Sequence, residues 1–342
     1  MKIAIADQKG SFSDYWINYC REHSISYKAV NPYDTDIVDQ IMDCDAFMWH
    51  HHHGKYRDVL FAKQLLFSLE QAGKIVFPNF KTGWYFDDKL GQKYLFEILN
   101  IPAAESWAFY DKKSAYRWIE TTSFPKVFKL RGGAGSANVR LAHNAKDAKK
   151  LVKRAFGKGF VQFRRYNYVR DRYKLYKARK ISLVALLKSL GRLLFPTEYS
   201  KMHAPEKGYI YFQEFIPNDG FDLRVIVIGG RAFAVRREVR KGDFRASGSG
   251  LLSYDKALFS DNLIKTAFNL NKKIKSQCLV LDFVKNKETG EFYVIEVSYG
   301  YSVKGYYPCL GYWTEDLVWH QGTVDSLAWI LEGLIAGSTM RA

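Results

Sequence analysis

Cysteine and proline are scarce in this chain of 342 residues, with four of the first and eight of the second. The cysteines (Cys20, Cys44, Cys278, Cys309) lie far apart with no CxxC pair. That spacing suits reduced, buried thiols better than a disulfide framework or a zinc knot. No apolar run approaches the ~20 residues that a membrane-spanning helix needs. The opening stretch Met1–Asp7 meets an acid before the apolar region of a signal peptide could form, so the expected location is the cytoplasm. Three catalytic or nucleotide-binding signatures are also missing: GxSxG, the Walker loop GxxxxGK[ST], and the dinucleotide fingerprint GxGxxG. With no plausible Cys/His pair either, nucleophilic triads fall away as a mechanism.

What is present is an ordinary folded composition, 47% hydrophobic and 25% charged, long enough for two or three domains at roughly 150 residues each. Lys and Arg number 52 against 35 Asp and Glu, a formal charge of +17. A surface so biased favours polyanions: nucleic acid, an anionic membrane face, an acidic glycan or a phosphorylated small molecule. Tyr (23) and Phe (24) are abundant, and residues of this kind serve first as core and only then as stacking platforms.

Periodicity predicts alternating strands and helices at the start of the chain. Strands fall at Lys2–Asp7, Ser26–Val30, Ala46–Trp49 and Lys74–Phe77, with helical spacing up to His23, over Asp34–Met42 and over Tyr56–Ala72. This is the pattern of βαβ units on a small parallel sheet. A helix over Trp84–Leu99, capped by Asp87 or Asp88, opens the next unit. An α+β module with strands at Ala104–Tyr110, Pro125–Leu130 and Asn138–Ala142 and helices at Lys113–Thr121 and Ala145–Phe156 follows. Beyond it, strands at Tyr209–Ile216, Leu223–Ile228, Ala232–Glu238, Cys278–Lys285 and Phe292–Val297 indicate an antiparallel sheet, interrupted by a helix at Asn262–Lys275. Domains are therefore expected at 1–80, 81–208 and 209–342, the last ending in a helix.

Three local patterns carry chemistry. In Phe124–Val139 a strand delivers Lys129 to a loop containing Gly132, Gly133, Gly135 and Ser136, whose backbone N–H groups can approach an anion closely. The alternative is a glycine hairpin beside a surface lysine. In Gln213-Glu214-Phe215-Ile216, followed by Asp222-Leu223-Arg224, acceptors at a strand end can take hydrogen bonds from an adenine amino group, and a carboxylate further on can reach ribose hydroxyls. Finally, Asp282 and Glu296 are each the one carboxylate on an apolar strand. Burying them is costly unless they bind a hard cation or pair with an arginine.

In this order the residues resemble the ATP-grasp superfamily, in the branch that contains ribosomal-protein glutamate ligases, glutathione synthetase and D-alanine:D-alanine ligase. The resemblance implies an α/β and α+β protein: a parallel pre-ATP-grasp domain followed by a two-lobed ATP-grasp fold, over about residues 78 to 305. It implies ATP and Mg2+ as cofactors, with Mn2+ as an alternative ion. Lys89 and Lys129 then contact phosphate, and Gly133, Gly135 and Ser136 belong to the mobile cover. Gln213, Glu214 and Ile216 form the adenine hinge, with Asp222 on the ribose. Arg224, Arg237 and Arg245 are the catalytic cations, and Asp282, Glu296 and Ser298 the metal ligands. Two positions depart from the pattern, Ser298 and Ser247 standing where the family usually has asparagine. The implied reaction joins a small-molecule or polymer-linked carboxylate to an amine, or to a thiol, through an acyl phosphate. Charge on the transferring phosphoryl group is met by metal, lysine and arginine, with little covalent work for the protein. The alternative is a kinase-like or non-catalytic nucleotide-binding protein acting on a surface polymer or other polyanion.

Two features lie outside that scheme. The run His50–His53 follows a strand, where alternate side chains face opposite ways, so at most two rings could share an ion. A ligand-contacting loop at the carboxyl edge of the first sheet is the favoured reading, with metal binding and a solvated loop as alternatives. Residues 164–207 hold twelve basic side chains against three acids and look like an insertion. The stripe Ile181, Val184, Leu187, Leu190, Leu194 with flanking cations suits a lid on the protein itself, docking on the inner face of an anionic membrane, or capture of an acidic glycan, with nucleic acid less favoured. A homo-oligomer is compatible with all of these.

Overall fold

In the computed structural model the described residues are 1–132, 138–161, 204–239 and 251–339, with isolated positions between 162 and 203. They form two compact units. The first comprises Met1–His52, Arg57–Ala104 and Ile216–Ala342, and the second His53–Tyr56 with Glu105–Phe215. Residues 81–104, grouped above with the following lobe, pack in the first unit. Tyr85, Phe96 and Ile101 join the core of that unit's large sheet, and a reciprocal amide pair adds to it: Gln92 Nε2 donates to the Val297 carbonyl and Gln92 Oε1 accepts from the Val297 N–H.

The first unit opens with strands β1 (Lys2–Ala6), β2 (Ser26–Val30), β3 (Ala46–Met48) and β4 (Ile75–Phe77) in a parallel sheet of order β2-β1-β3-β4. Strands β1, β3 and β4 are mostly buried and apolar, the edge strand β2 is half-exposed, and helices α1 (Phe12–Glu22), α2 (Ile37–Met42) and α3 (Tyr56–Gln71) supply the intervening crossovers. Strand β1 leads first to β2 on one side and the chain then returns to β3 on the other. The switch point therefore lies between the carboxyl ends of β1 and β3. The short helix α4 (Phe80–Gly83) precedes α5 (Lys89–Ile98), whose N-cap is Asp88, accepting from the Gly91 N–H.

The larger sheet of the same unit contains β9 (Phe221–Ile228), β10 (Arg231–Glu238), β11 (Leu252–Ser253), β12 (Cys278–Lys285), β13 (Phe292–Ser298), β14 (Gly311–Thr314) and β15 (Trp319–Gln321). Its order is β13-β12-β9-β10-β14-β15, with β11 beside β10. Helix α8 (Asp261–Ile274) covers one face, packing Leu263, Ala267 and Phe268 against Leu223, Val225, Val227, Leu279 and Leu281. On the opposite face Ile226, Ile228, Phe233, Val235 and Val280 join a core with residues of β1, β3 and the final helix α9 (Ser326–Thr339).

The second unit has an antiparallel sheet, β5 (Ser106–Phe109), β6 (Lys126–Lys129), β7 (Arg140–Ala142) and β8 (Ile210–Glu214), in the order β5-β8-β6-β7. Helices α6 (Lys112–Thr121) and α7 (Ala145–Ala155) cover one face through Ala115, Ile119, Ala148 and Val152, which meet Phe128, Ile210 and Phe212. Their N-caps, Asp111 and Asn144, each accept a backbone N–H. No described helix is long and apolar enough to cross a membrane. Of the apolar stripe in the basic segment, Val184 and Leu187 are exposed among the described residues. Most of residues 164–207 lies outside them.

Candidate functional site

On the large sheet, the face that begins as apolar core turns charged over two successive levels on four neighbouring strands. Two residues on from Ile226, Val235 (on its own strand) and Val280 come Arg224, Arg237 and Asp282, and β13 adds Glu296 beyond Ser298. The register aligns them: Glu296 is opposite Asp282, Asp282 opposite Arg224, and Asp222 opposite Arg237. Strand alternation places these side chains on one face, while Leu223, Val225 and Leu281 fill the other.

The contacts form two neighbouring groups. Arg237 Nε and Nη2 donate to Asp222 at 2.6 and 2.7 Å. Arg237 Nη2 also lies 2.8 Å from Asp282 Oδ2. Arg224 Nε and Nη2 clamp Asp282 Oδ1 and Oδ2 at 2.6 and 2.8 Å. At the neighbouring position Lys89 Nζ reaches Glu296 Oε1 at 3.0 Å and Asp87 Oδ1 at 3.2 Å. Burial opposes charge on Asp282, but Arg224 and Arg237 outweigh it and hold the carboxyl well below the usual range. For Asp222 burial prevails and pushes the carboxyl up, against the pull of Arg237. Lys89 behaves as Asp282 does with the sign reversed: burial disfavours its charge, and Glu296 and Asp87 more than restore it.

The set fits a hard cation in its chemistry. Asp282 and Glu296 present oxygen donors on adjacent strands, and Ser298 follows on the same face. The Ser298 hydroxyl donates to the Gly300 carbonyl at 3.1 Å and accepts its N–H. Among the described residues no group of three His, Cys, Asp or Glu side chains converges on a metal-sized position. Bound to Asp282 and Glu296, Mg2+ would neutralise charge on phosphoryl oxygens. The arginine pairing weighed as the alternative for Asp282 is the arrangement this structure displays.

In the second unit the small sheet also has two distinct faces. Lys129, Val127, Tyr211 and Gln213 alternate onto the face away from the helices, with Lys129 opposite Tyr211 and Val127 opposite Gln213. Gln213 Nε2 donates to the Tyr211 hydroxyl at 3.4 Å. Glu214 falls on the helix-covered face, where Oε2 takes the ammonium of Lys126 at 2.6 Å. Lys126 is 2% exposed, touches Ser123 Oγ at 3.3 Å and lies 4.9 Å from the Trp107 ring centroid. Sequence reasoning passed over Lys126, which shares the run Pro125–Leu130 with Lys129. Ile216 belongs to the first unit and packs with Ala104 and Val284. Gly133, Gly135, Ser136, Arg245 and Ser247 lie outside the described residues.

The histidine run starts at the switch point of the parallel sheet. His50 Nδ1 meets Ser11 Oγ at 2.8 Å, and its ring stacks on Phe12 with centroids 3.6 Å apart. The His51 carbonyl accepts from Tyr299 at 2.9 Å, and the His52 N–H donates to buried Asp58 at 2.7 Å. These bonds hold the loop as a built edge of the sheet.

Solved structures of similar fold define the class. D-alanine–D-alanine ligase from Bacillus anthracis, complexed with ATP, superposes with a TM-score of 0.56 at 13% identity, covering 100% of both chains. The ATP-grasp ligase PsnB, complexed with a minimal precursor, gives 0.56 at 15% identity and covers 98% of each. The biotin carboxylase domain of the Hydrogenobacter thermophilus 2-oxoglutarate carboxylase, a complex containing MgADP and bicarbonate, gives 0.57 at 14% identity over 98% of this chain and 69% of that one. The chain has the ATP-grasp fold. More narrowly, residues 197–308 match the RimK-like ATP-grasp domain, the stretch that carries Asp222, Arg224, Arg237, Asp282, Glu296 and Ser298. No curated protein matches the chain.

Proposed function

We propose that the protein is an ATP-dependent carboxylate ligase. It passes the γ-phosphoryl group of Mg-ATP to a substrate carboxylate and lets an amine displace phosphate from the acyl phosphate, leaving ADP and phosphate. The observation that carries this reading is the charged row on the large sheet. Three cations (Lys89, Arg224, Arg237) and four carboxylates (Asp87, Asp222, Asp282, Glu296) pair there in two neighbouring groups, in a fold whose solved members include a ligase complexed with ATP and one complexed with Mg and ADP. In this reading Arg237 and Lys89 stabilise phosphoryl oxygens, Asp282 and Glu296 hold the metal, and Arg224 orients Asp282. Lys129, Gln213 and the backbone of 214–215, all in the second unit, are the nucleotide contacts in this reading. The metal supplies charge neutralisation on the transferring group, and the residues bind and orient the reactants. Members of this fold differ in substrate, so the carboxylate must be found by trial.

The test is incubation with γ-18O-labelled ATP, Mg2+, hydroxylamine and a panel of amino acids, peptides and dicarboxylates. A ligase yields ADP and one hydroxamate, with labelled phosphate. Phosphoryl transfer to an alcohol without hydroxamate would move the assignment to the phosphotransferase alternative, and nucleotide binding without turnover to the non-catalytic one.

A further inference from the structure

The two carboxylates that would hold the metal already have cations on them. Asp282 has both oxygens engaged, Oδ1 by Arg224 and Oδ2 by Arg224 and Arg237, at 2.6 to 2.8 Å. Glu296 Oε1 is bridged to Asp87 through Lys89. A hard cation at 2.0–2.1 Å from these oxygens needs the lone pairs that the guanidinium and ammonium groups now take. It would also sit beside three fixed positive charges, at separations where repulsion in a half-buried site is substantial. A polyphosphate changes both terms. It brings several negative charges, and arginine and lysine donate to phosphate oxygens as readily as to carboxylates.

We propose that Lys89 and Arg237 act as exchange cations. Without nucleotide they sit on Glu296 and Asp282 and keep divalent metal away. When nucleotide arrives they transfer to its phosphates, and the released carboxylate oxygens take the metal. Arg224, which has a complete fork on Asp282, stays as the positioning residue that keeps that carboxylate aimed. Metal and nucleotide then bind as a mutually dependent pair, each raising the affinity of the other by the same factor. This rests on the reading of the site as one for Mg-ATP.

Mn2+ binding by electron paramagnetic resonance tests the idea without turnover. The intact chain alone is expected to leave Mn2+ essentially free at concentrations where, with a non-hydrolysable ATP analogue and after subtraction of analogue-bound Mn2+, one ion per chain is immobilised. Lys89→Met, which strips the cation from Glu296, should raise affinity for Mn2+ alone at least tenfold. Adding Glu296→Gln to it should abolish the gain, a result that no purely structural role of Lys89 produces. Tight one-to-one Mn2+ binding by the intact chain alone would overturn the proposal, as would unchanged Mn2+ affinity in folded Lys89→Met. Should that variant not fold, the intact-chain comparison still decides. Displacement of a fluorescent ATP analogue, with and without Mg2+, separates the two failures. If no nucleotide binds under either condition, the Mg-ATP reading is lost whatever the Mn2+ result.

Discussion

Replacing Arg224 by leucine removes the fork that holds Asp282 and leaves a buried carboxylate with the single 2.8 Å contact from Arg237. Taking one partner from a buried ion pair costs about 3–5 kcal/mol, because the other charge stays desolvated. The surviving Arg237 contact puts the expected loss near the lower end, about 3 kcal/mol. Arg224→Lys keeps the charge without the planar fork and should lose roughly half as much. Urea titrations followed by tryptophan fluorescence measure the loss directly. The pH dependence adds a second check. Asp282 is held below its unfolded value, so the stability it contributes is present above the ordinary aspartate pKa of about 3.9 and is lost as pH falls toward the folded value. The deficit of Arg224→Leu is therefore full at pH 7 and narrows on acidification, as protonation removes the charge that Arg224 was serving. A loss under about 0.5 kcal/mol at pH 7, or one that grows toward pH 4, would refute the reasoning.

Glu296→Ala and Lys129→Ala should each lower ATP-dependent turnover by at least about a hundredfold, or ~3 kcal/mol, with cooperative unfolding preserved; turnover within tenfold of the intact chain removes that residue from the site. Gln213→Ala should raise the KM for ATP about tenfold, near 1.4 kcal/mol, and more than Glu214→Ala does, because Gln213 shares the face of Lys129 while the Glu214 carboxylate is turned to Lys126. Equal effects in steady-state kinetics would mean that the face assignment does not govern base binding. Burial pushes the thiols up, Cys20 to about 11 and Cys309 to about 12, and Cys44 and Cys278 in the same direction. Ellman's reagent at pH 8 should accordingly find no fast thiol in the folded chain and four in urea. Ser298→Asn should hold or tighten Mn2+ in the presence of nucleotide, and a marked weakening would show that the Ser298–Gly300 turn shapes the site.

Much of the architecture was legible because it is written in local pattern. Apolar runs spaced by helical stretches predict the parallel sheet of β1 to β4, and lone charges on apolar strands mark Asp282 and Glu296 with no structure in view. Which of Asp87 and Asp88 caps α5 was open in the sequence, and backbone geometry chose Asp88. The partners of those lone charges were not legible. Asp222 and Arg224 are two residues apart and Arg237 returns to Asp222 across the β9–β10 hairpin, but Asp282 reaches Arg224 through the pairing of β9 with β12, a strand from a distant stretch of chain. Likewise the neighbouring residues Gln213 and Glu214 look equivalent in a motif, and only the side on which α6 and α7 pack gives them opposite faces. Periodicity is set by each residue's own backbone, so one chain segment suffices to reveal it. Ion pairing, burial and the choice of face depend on what lies across the sheet, and only the assembled tertiary structure decides that.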